Sequence, residues 1–318
     1  MFDQKCIRRF IVASMIVGSL LGISSADAVG ANSATVDDNQ QALHATAVQK
    51  INEGSKRFDA GDFKRAIELY TEALKYDPKS VDAYFERGFA YYNLKDYRAA
   101  ISDFDKAIEL DPNYAMTYYA RGSAHYAMKN YDRALADYTK AIDKKMNDAQ
   151  VFFNRGNVYY EMKDYRKAIA DYGKAIKLKP DYVKAYFNRG NIFYRLNDVN
   201  RALADYDKVI ELEPRFSEAY FNRGNIYCEQ KDYRRALADY SKAIELNSAD
   251  AYAYFNRGNV YYDMEDYRKA IADYDKAIAL EPGFSEAYFA RGHCRQELGD
   301  DASAQADFDK ARALGFKN

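Results

Sequence analysis

The 318-residue chain contains no tryptophan, five prolines, three cysteines and three histidines, and its 47 basic residues almost cancel its 48 acidic ones. Each shortage excludes something. A net charge of −1 offers no global field to draw in nucleic acid or an acidic membrane surface, so no nucleic-acid partner is expected. His44, His125 and His293 are scattered without metal-ligand spacing. No phosphate-binding glycine loop, nucleophile elbow or HExxH helix occurs. No metal, small-molecule cofactor or catalytic residue is therefore expected, and the chain reads as non-enzymatic.

What is present in abundance is repetition. Gly54, Gly88, Gly122, Gly156, Gly190, Gly224, Gly258 and Gly292 follow one another at intervals of 34 residues without insertion or deletion. Self-similarity at this period marks stacked repeats rather than a domain with one enclosed core. Counted from seven residues before each glycine, the units are 47–80, 81–114, 115–148, 149–182, 183–216, 217–250, 251–284 and 285–318.

In the seventh unit, Tyr254, Gly258 and Tyr261 share one face of a first helix, and Ala270, Tyr274 and Ala277 share one face of a second. One face reads large, small, large and the other small, large, small, so the two interlock with rings seated over small residues. Asp266 stands where it can cap the second helix, as do Asp62, Asp96, Asn130, Asp164, Asp198, Asp232 and Asp300. Pro78, Pro112, Pro180, Pro214 and Pro282 punctuate the turns between units. The outer units read as caps: Lys50 and Arg57 dilute the first, while Gln305 and Arg312 replace the equivalents of Ile271 and Ile278 in the last.

These residues resemble the tetratricopeptide repeat family over 47–318. The departures are the missing tryptophan at the fourth position, replaced by tyrosine or phenylalanine and in the first unit by Lys50, and Met146, Ser248 and Phe316 where proline is usual. The resemblance implies an all-α, right-handed superhelical solenoid of eight helix–turn–helix repeats, with the first helix of each unit lining a concave groove.

The first 28 residues stand apart. Lys5, Arg8 and Arg9 precede an apolar run from Phe10 to Ile23 and then Ala26-Asp27-Ala28, the layout of a secretory signal peptide. The run falls short of the roughly 20 residues that cross a bilayer. Cleavage after Ala28 gives an exported protein, periplasmic or secreted; an uncleaved segment would instead anchor it to a membrane. Residues 29–46 are polar and read as a flexible leader, helical near its end. Cys228 and Cys294 lie two units apart, too far for a disulfide, and read as free packing residues.

On the first helices, one row of asparagines is Asn154, Asn188, Asn222 and Asn256, and a second is Asn157, Asn191, Asn225 and Asn259. Members of the two rows are three residues apart, on one helix face. Asparagine is a mediocre helix former, so eight of them need a reason. An amide offers a donor and an acceptor, and a regular row of amides can hydrogen-bond the backbone of an extended peptide without reading its side chains. The alternative is that the asparagines bond one another between units.

Tyr160, Tyr194 and Tyr262 flank them as candidate ligand contacts, whereas Phe153, Phe187, Phe221 and Phe255 read as packing. The same face carries Asp59, Asp82, Glu161, Glu218, Glu229, Asp263, Glu286 and Glu297 against Lys184 and Arg195. That balance favours a basic or neutral protein or peptide partner. It argues against the clamp for a terminal carboxylate found in the family, for which only Lys184 is suitably placed. The arginine row from Arg87 to Arg291 reads as paired with aspartates of the second helices.

The expected function is a scaffold that binds extended segments of partner proteins in the groove. Two further roles stay open: an assembly scaffold of an envelope complex acting through its convex face or ends, and an accessory subunit of a cell-wall or glycan enzyme.

Overall fold

The computed structural model describes the backbone of residues 31–316 and the side chains of residues 39–316. The expected signal peptide, 1–28, lies outside the described residues. Those described form helices and turns without a strand, and no helix among them is long and apolar enough to cross a membrane.

The chain divides into two units between Ala83 and Tyr84. In the first, α1 (Ala31–Asp59) packs against α2 (Phe63–Tyr76). Where the sequence reads as a flexible leader over 29–46, α1 instead runs without a break from Ala31. Helix α3 (Val81–Asn93) crosses the division.

The second unit continues as helix pairs. They are α4 (Tyr97–Leu110); α5 (Ala115–Ala127) with α6 (Tyr131–Asp143); α7 (Ala149–Glu161) with α8 (Tyr165–Leu178); α9 (Val183–Arg195) with α10 (Val199–Leu212); α11 (Ser217–Glu229) with α12 (Tyr233–Leu246); α13 (Ala251–Asp263) with α14 (Tyr267–Leu280); and α15 (Ser285–Glu297) with α16 (Asp301–Ala313). Within each pair the helices pack on one another, and each second helix also packs on the first helix of the next pair. This is an all-α solenoid.

The spacing that defines the repeat is a packing requirement. Tyr274 is fully buried and its ring lies against Gly258, where a Cβ would stand 2.7 Å from the ring. The same tyrosine or phenylalanine meets the same glycine in every repeat. A larger residue would push the two helices apart.

Beside this contact, from the second repeat to the eighth, the arginine before the glycine grips an aspartate of the second helix through two nitrogens. Arg189 reaches Asp205 at 2.7 and 2.8 Å, and Arg257 reaches Asp273 at the same distances. Several of these arginines also reach back to the preceding second helix, as Arg223 does to Asp207 at 2.6 Å and Arg257 to Ser241 at 3.1 Å. The pairing read from the sequence is thus present, and it staples neighbouring repeats together as well as closing each one.

Two devices set the helix ends. Asp62, Asp96, Asp164, Asp198, Asp232, Asp266 and Asp300 each accept a hydrogen bond from the backbone amide three residues on. Asn130 occupies the same place without that bond. Before each cap the chain passes through a left-handed residue, such as Lys163 with φ 61°. Around it Lys163 N–H donates to Tyr160 O at 2.9 Å and Asp164 N–H to Tyr159 O at 2.8 Å, the paired bonds of a Schellman turn. Cys294 is buried, Cys228 partly so, and both are free thiols.

Candidate functional site

The two asparagine rows are linked to each other from repeat to repeat. Asn188 Nδ2 donates to Asn157 Oδ1 of the repeat before it at 3.1 Å, Asn222 Nδ2 to Asn191 Oδ1 at 2.9 Å, and Asn256 Nδ2 to Asn225 Oδ1 at 3.0 Å. Each second-row oxygen takes another bond from the buried tyrosine of its own repeat: Tyr172, Tyr206, Tyr240 and Tyr274 hydroxyls reach Asn157, Asn191, Asn225 and Asn259 at 2.7 to 2.8 Å. Asn154 finds no asparagine behind it, because the third repeat has Ser123 there. Its Nδ2 donates to Tyr119 Oη at 3.0 Å, while Ser123 meets Tyr138 Oη at 3.0 Å. Part of the hydrogen-bonding capacity of the rows is therefore spent on joining the repeats and on tying first helix to second within each one.

The rest remains. All eight asparagines are half-buried. Asn157, Asn191, Asn225 and Asn259 spend their oxygens and keep their Nδ2 groups, whereas Asn188, Asn222 and Asn256 spend one N–H each and keep their oxygens. The row thus presents donors and acceptors in alternation, the pattern of an extended peptide backbone.

Centred on the fourth repeat and walled by the third and fifth, this face opens into a hollow of about 250 Å³, where Asn157, Asn188 and Asn191 meet Tyr126, Tyr160 and Glu161. Burial, and secondarily the charge of Glu161, push the Tyr126 hydroxyl up to about 12, so it stays a neutral donor.

The other expected contacts divide. Tyr160 lines the hollow and stacks obliquely with Tyr165 at 5.9 Å between ring centres. Tyr194 donates its hydroxyl to Glu229 of the next repeat, so both groups are engaged within the protein. Tyr262 is half-buried beside Tyr267 at 5.6 Å. The phenylalanines are packing residues as expected: Phe153 lies 5.7 Å from Tyr172 and 4.8 Å from Tyr182, and Phe187 lies 4.9 Å from Phe216. The arginine row is committed to aspartates and is not a free cationic surface. Among the described residues, no group of histidine, cysteine and acidic side chains is placed to hold a metal.

Sequence reasoning missed the tyrosine hydroxyl as the asparagines' second partner, although the chain carries a signal for it. Repeats with tyrosine at that buried position have serine or asparagine opposite, as in Ser55 with Tyr70 and Asn157 with Tyr172. Repeats with phenylalanine there have Phe89 beside Phe104 and His293 beside Phe308. The hydroxyl thus accompanies serine or asparagine at the facing position.

Comparison with known proteins points in one direction. Models described as TPR repeat match residues 122–163, 156–197 and 224–265. Models described as tetratricopeptide repeat match 51–115, then 183–216 and 251–284, and also 104–136, 205–238 and 273–306. No curated protein matches the chain in sequence.

Among solved structures, the C-terminal part of a TPR repeat-containing protein from Cytophaga hutchinsonii aligns with 76% of this chain and 98% of its own, at 20% identity and a TM-score of 0.66. MamA from Desulfovibrio magneticus RS-1 aligns with 53% of this chain and 96% of its own, at 27% identity and a TM-score of 0.51. YrrB, described as a TPR protein with an unusual peptide-binding site, aligns with 57% of this chain and 94% of its own, at 24% identity and a TM-score of 0.52. At such identities, the Cytophaga protein and YrrB demonstrate a shared fold alone.

Proposed function

Because this chain belongs to the tetratricopeptide repeat family, we propose that it is a protein-interaction scaffold holding an extended segment of a partner along the asparagine rows of its first helices. The observation that carries this reading is the alternation of unspent amide donors and acceptors on one half-buried face. Hydrogen bonds to a ligand backbone give affinity without demanding a side-chain sequence, which suits a surface made of near-identical units. Stacked repeats of this kind present an extended concave surface suited to binding.

The asparagines also join the repeats, so a test must withdraw the groove amides while leaving the buried tyrosines a partner. The third repeat supplies the solution in Ser123, which meets Tyr138 in place of an asparagine. Random twelve-residue peptides would be enriched by display on the native protein, then measured against a variant with Asn157, Asn191, Asn225 and Asn259 all changed to serine. The expected result is a loss of at least about tenfold in affinity, roughly 1.4 kcal/mol, with helicity retained. Equal affinity would overturn the asparagine reading.

The signal-peptide layout of residues 1–28 supports an encounter in the periplasm or outside the cell. N-terminal sequencing of the mature protein checks this: Val29 is the expected first residue, and a chain retaining residues 1–28 would mean membrane anchoring instead.

A further inference from the structure

The hollow centred on the fourth repeat differs from its neighbours in a way that selects charge. Its formal charge is the exposed carboxylate of Glu161, whose protein partner is the Tyr131 hydroxyl at 3.5 Å, the outer limit of a hydrogen bond. Around it stand the rings of Tyr126 and Tyr160, and Asn188 contributes an amide oxygen that accepts no hydrogen bond among the described residues. Acceptors and aromatic faces are what a cationic head, which has donors only, requires. An anion would meet the carboxylate instead.

The adjacent repeat shows how the same wall treats a cation. There the position of Glu161 is taken by Arg195, whose guanidinium lies 5.5 Å from the ring centre of Tyr165, the counterpart of Tyr131. In the fifth repeat, then, the protein fills this place with its own positive charge; in the fourth it leaves a carboxylate and an open hollow. The next such carboxylate, Glu229, already receives the Tyr194 hydroxyl, and Cys228 replaces the ring that Tyr160 supplies. Neither the fifth nor the sixth repeat therefore has the open arrangement of the fourth.

We infer that this hollow is a subsite for a lysine or arginine side chain of the bound segment, held by Glu161, the Tyr126 and Tyr160 rings and the Asn188 amide oxygen. The inference rests on the peptide-binding reading and adds a side-chain preference to it. It also sets register: with backbone bonds tolerant of sequence, one cationic anchor would fix which residue of the segment lies over the fourth repeat.

The test uses peptides enriched on the native protein, remade with their basic residue as arginine, lysine, citrulline or glutamate. Citrulline keeps the shape of arginine and removes its charge. Arginine or lysine is expected to bind about tenfold more tightly than citrulline, with glutamate weakest. In Glu161→Gln the ratio of arginine to citrulline affinity should fall towards one, and in the native protein the ratio of arginine to lysine says which head fits better. Equal affinity of the arginine and citrulline peptides overturns the subsite and leaves the backbone reading intact.

Should no peptide be enriched, the backbone reading fails, and the hollow is then tested alone. N-acetyl-argininamide and its citrulline counterpart are compared by saturation-transfer NMR on the native protein and on Glu161→Gln. Transfer to the arginine derivative that disappears in the variant sustains the subsite; transfer that is absent, or unaffected by the substitution, overturns it.

Discussion

At the residue scale, the glycine that marks each repeat is there for close approach, not for an unusual backbone angle. Gly258 is helical and lacks room for one methyl group against Tyr274. Gly258→Ala is expected to lower stability by about 1–3 kcal/mol through overpacking, measured by urea denaturation. Gly283, in a turn with nothing within 4 Å of an added Cβ, is the control; Gly283→Ala should be neutral within about 0.5 kcal/mol. Equal effects at both sites would contradict the packing account. The ring-over-glycine contact was legible in the sequence, since large and small residues alternate at helical spacing. The second partner of each asparagine was not, because it lies on a different helix and requires the pairing of faces to be known.

At the element scale, the helix termini carry two separable contributions. The capping aspartates Asp164, Asp198 and Asp266 are held below the ordinary 3.8, chiefly by the side chains of Lys167, Arg201 and Lys269. Asp232 is lowered too, first by the backbone amide of Arg235 and then by its side chain. A carboxylate with a depressed folded value adds stability that is complete above its unfolded pKa and is lost as pH falls through the folded one. The melting temperature is therefore expected to hold steady from pH 7 to about 5 and to fall below about 4. Replacing the four caps by asparagine, which keeps an acceptor without a titrating charge, should reduce that fall. An unchanged acid profile would assign it to other carboxylates.

The turns offer the opposite opportunity. Lys163 and Lys231 adopt left-handed angles of 61° and 58°, where Gly61 and Gly299 serve in the first and last repeats. Lys163→Gly and Lys231→Gly should each stabilise the protein by about 0.5–1 kcal/mol, because a side chain is strained there and glycine is not. A loss of stability would mean that the lysine side chains contribute more than the strain costs. These turns were not foreseen from the sequence: lysine carries no preference for that region, and only the Schellman bonds closed around it impose the angle.

At the scale of the whole molecule, an uninterrupted period makes the repeats exchangeable. Each touches its neighbours through the same contacts, so stability should be close to a sum of repeat and interface terms. Deleting residues 183–216 joins Tyr182 to Ser217 in register and allows Asn222 to reach Asn157 as Asn188 does now. The shortened protein is expected to keep its helicity per residue and to unfold in urea with a smaller slope, in proportion to the surface lost. Loss of helical signal would show that the fifth repeat does more than relay contacts. The sequence by itself determined the all-α repeat architecture, the helix pairing, the caps and the arginine–aspartate pairs, because helical period and side-chain size specify local faces regardless of what lies beyond them. Only the tertiary structure decided how each amide is spent and where the face opens. Those depend on distances between residues on different helices, from half a repeat to a full repeat apart, and such distances exist only after the helices have packed.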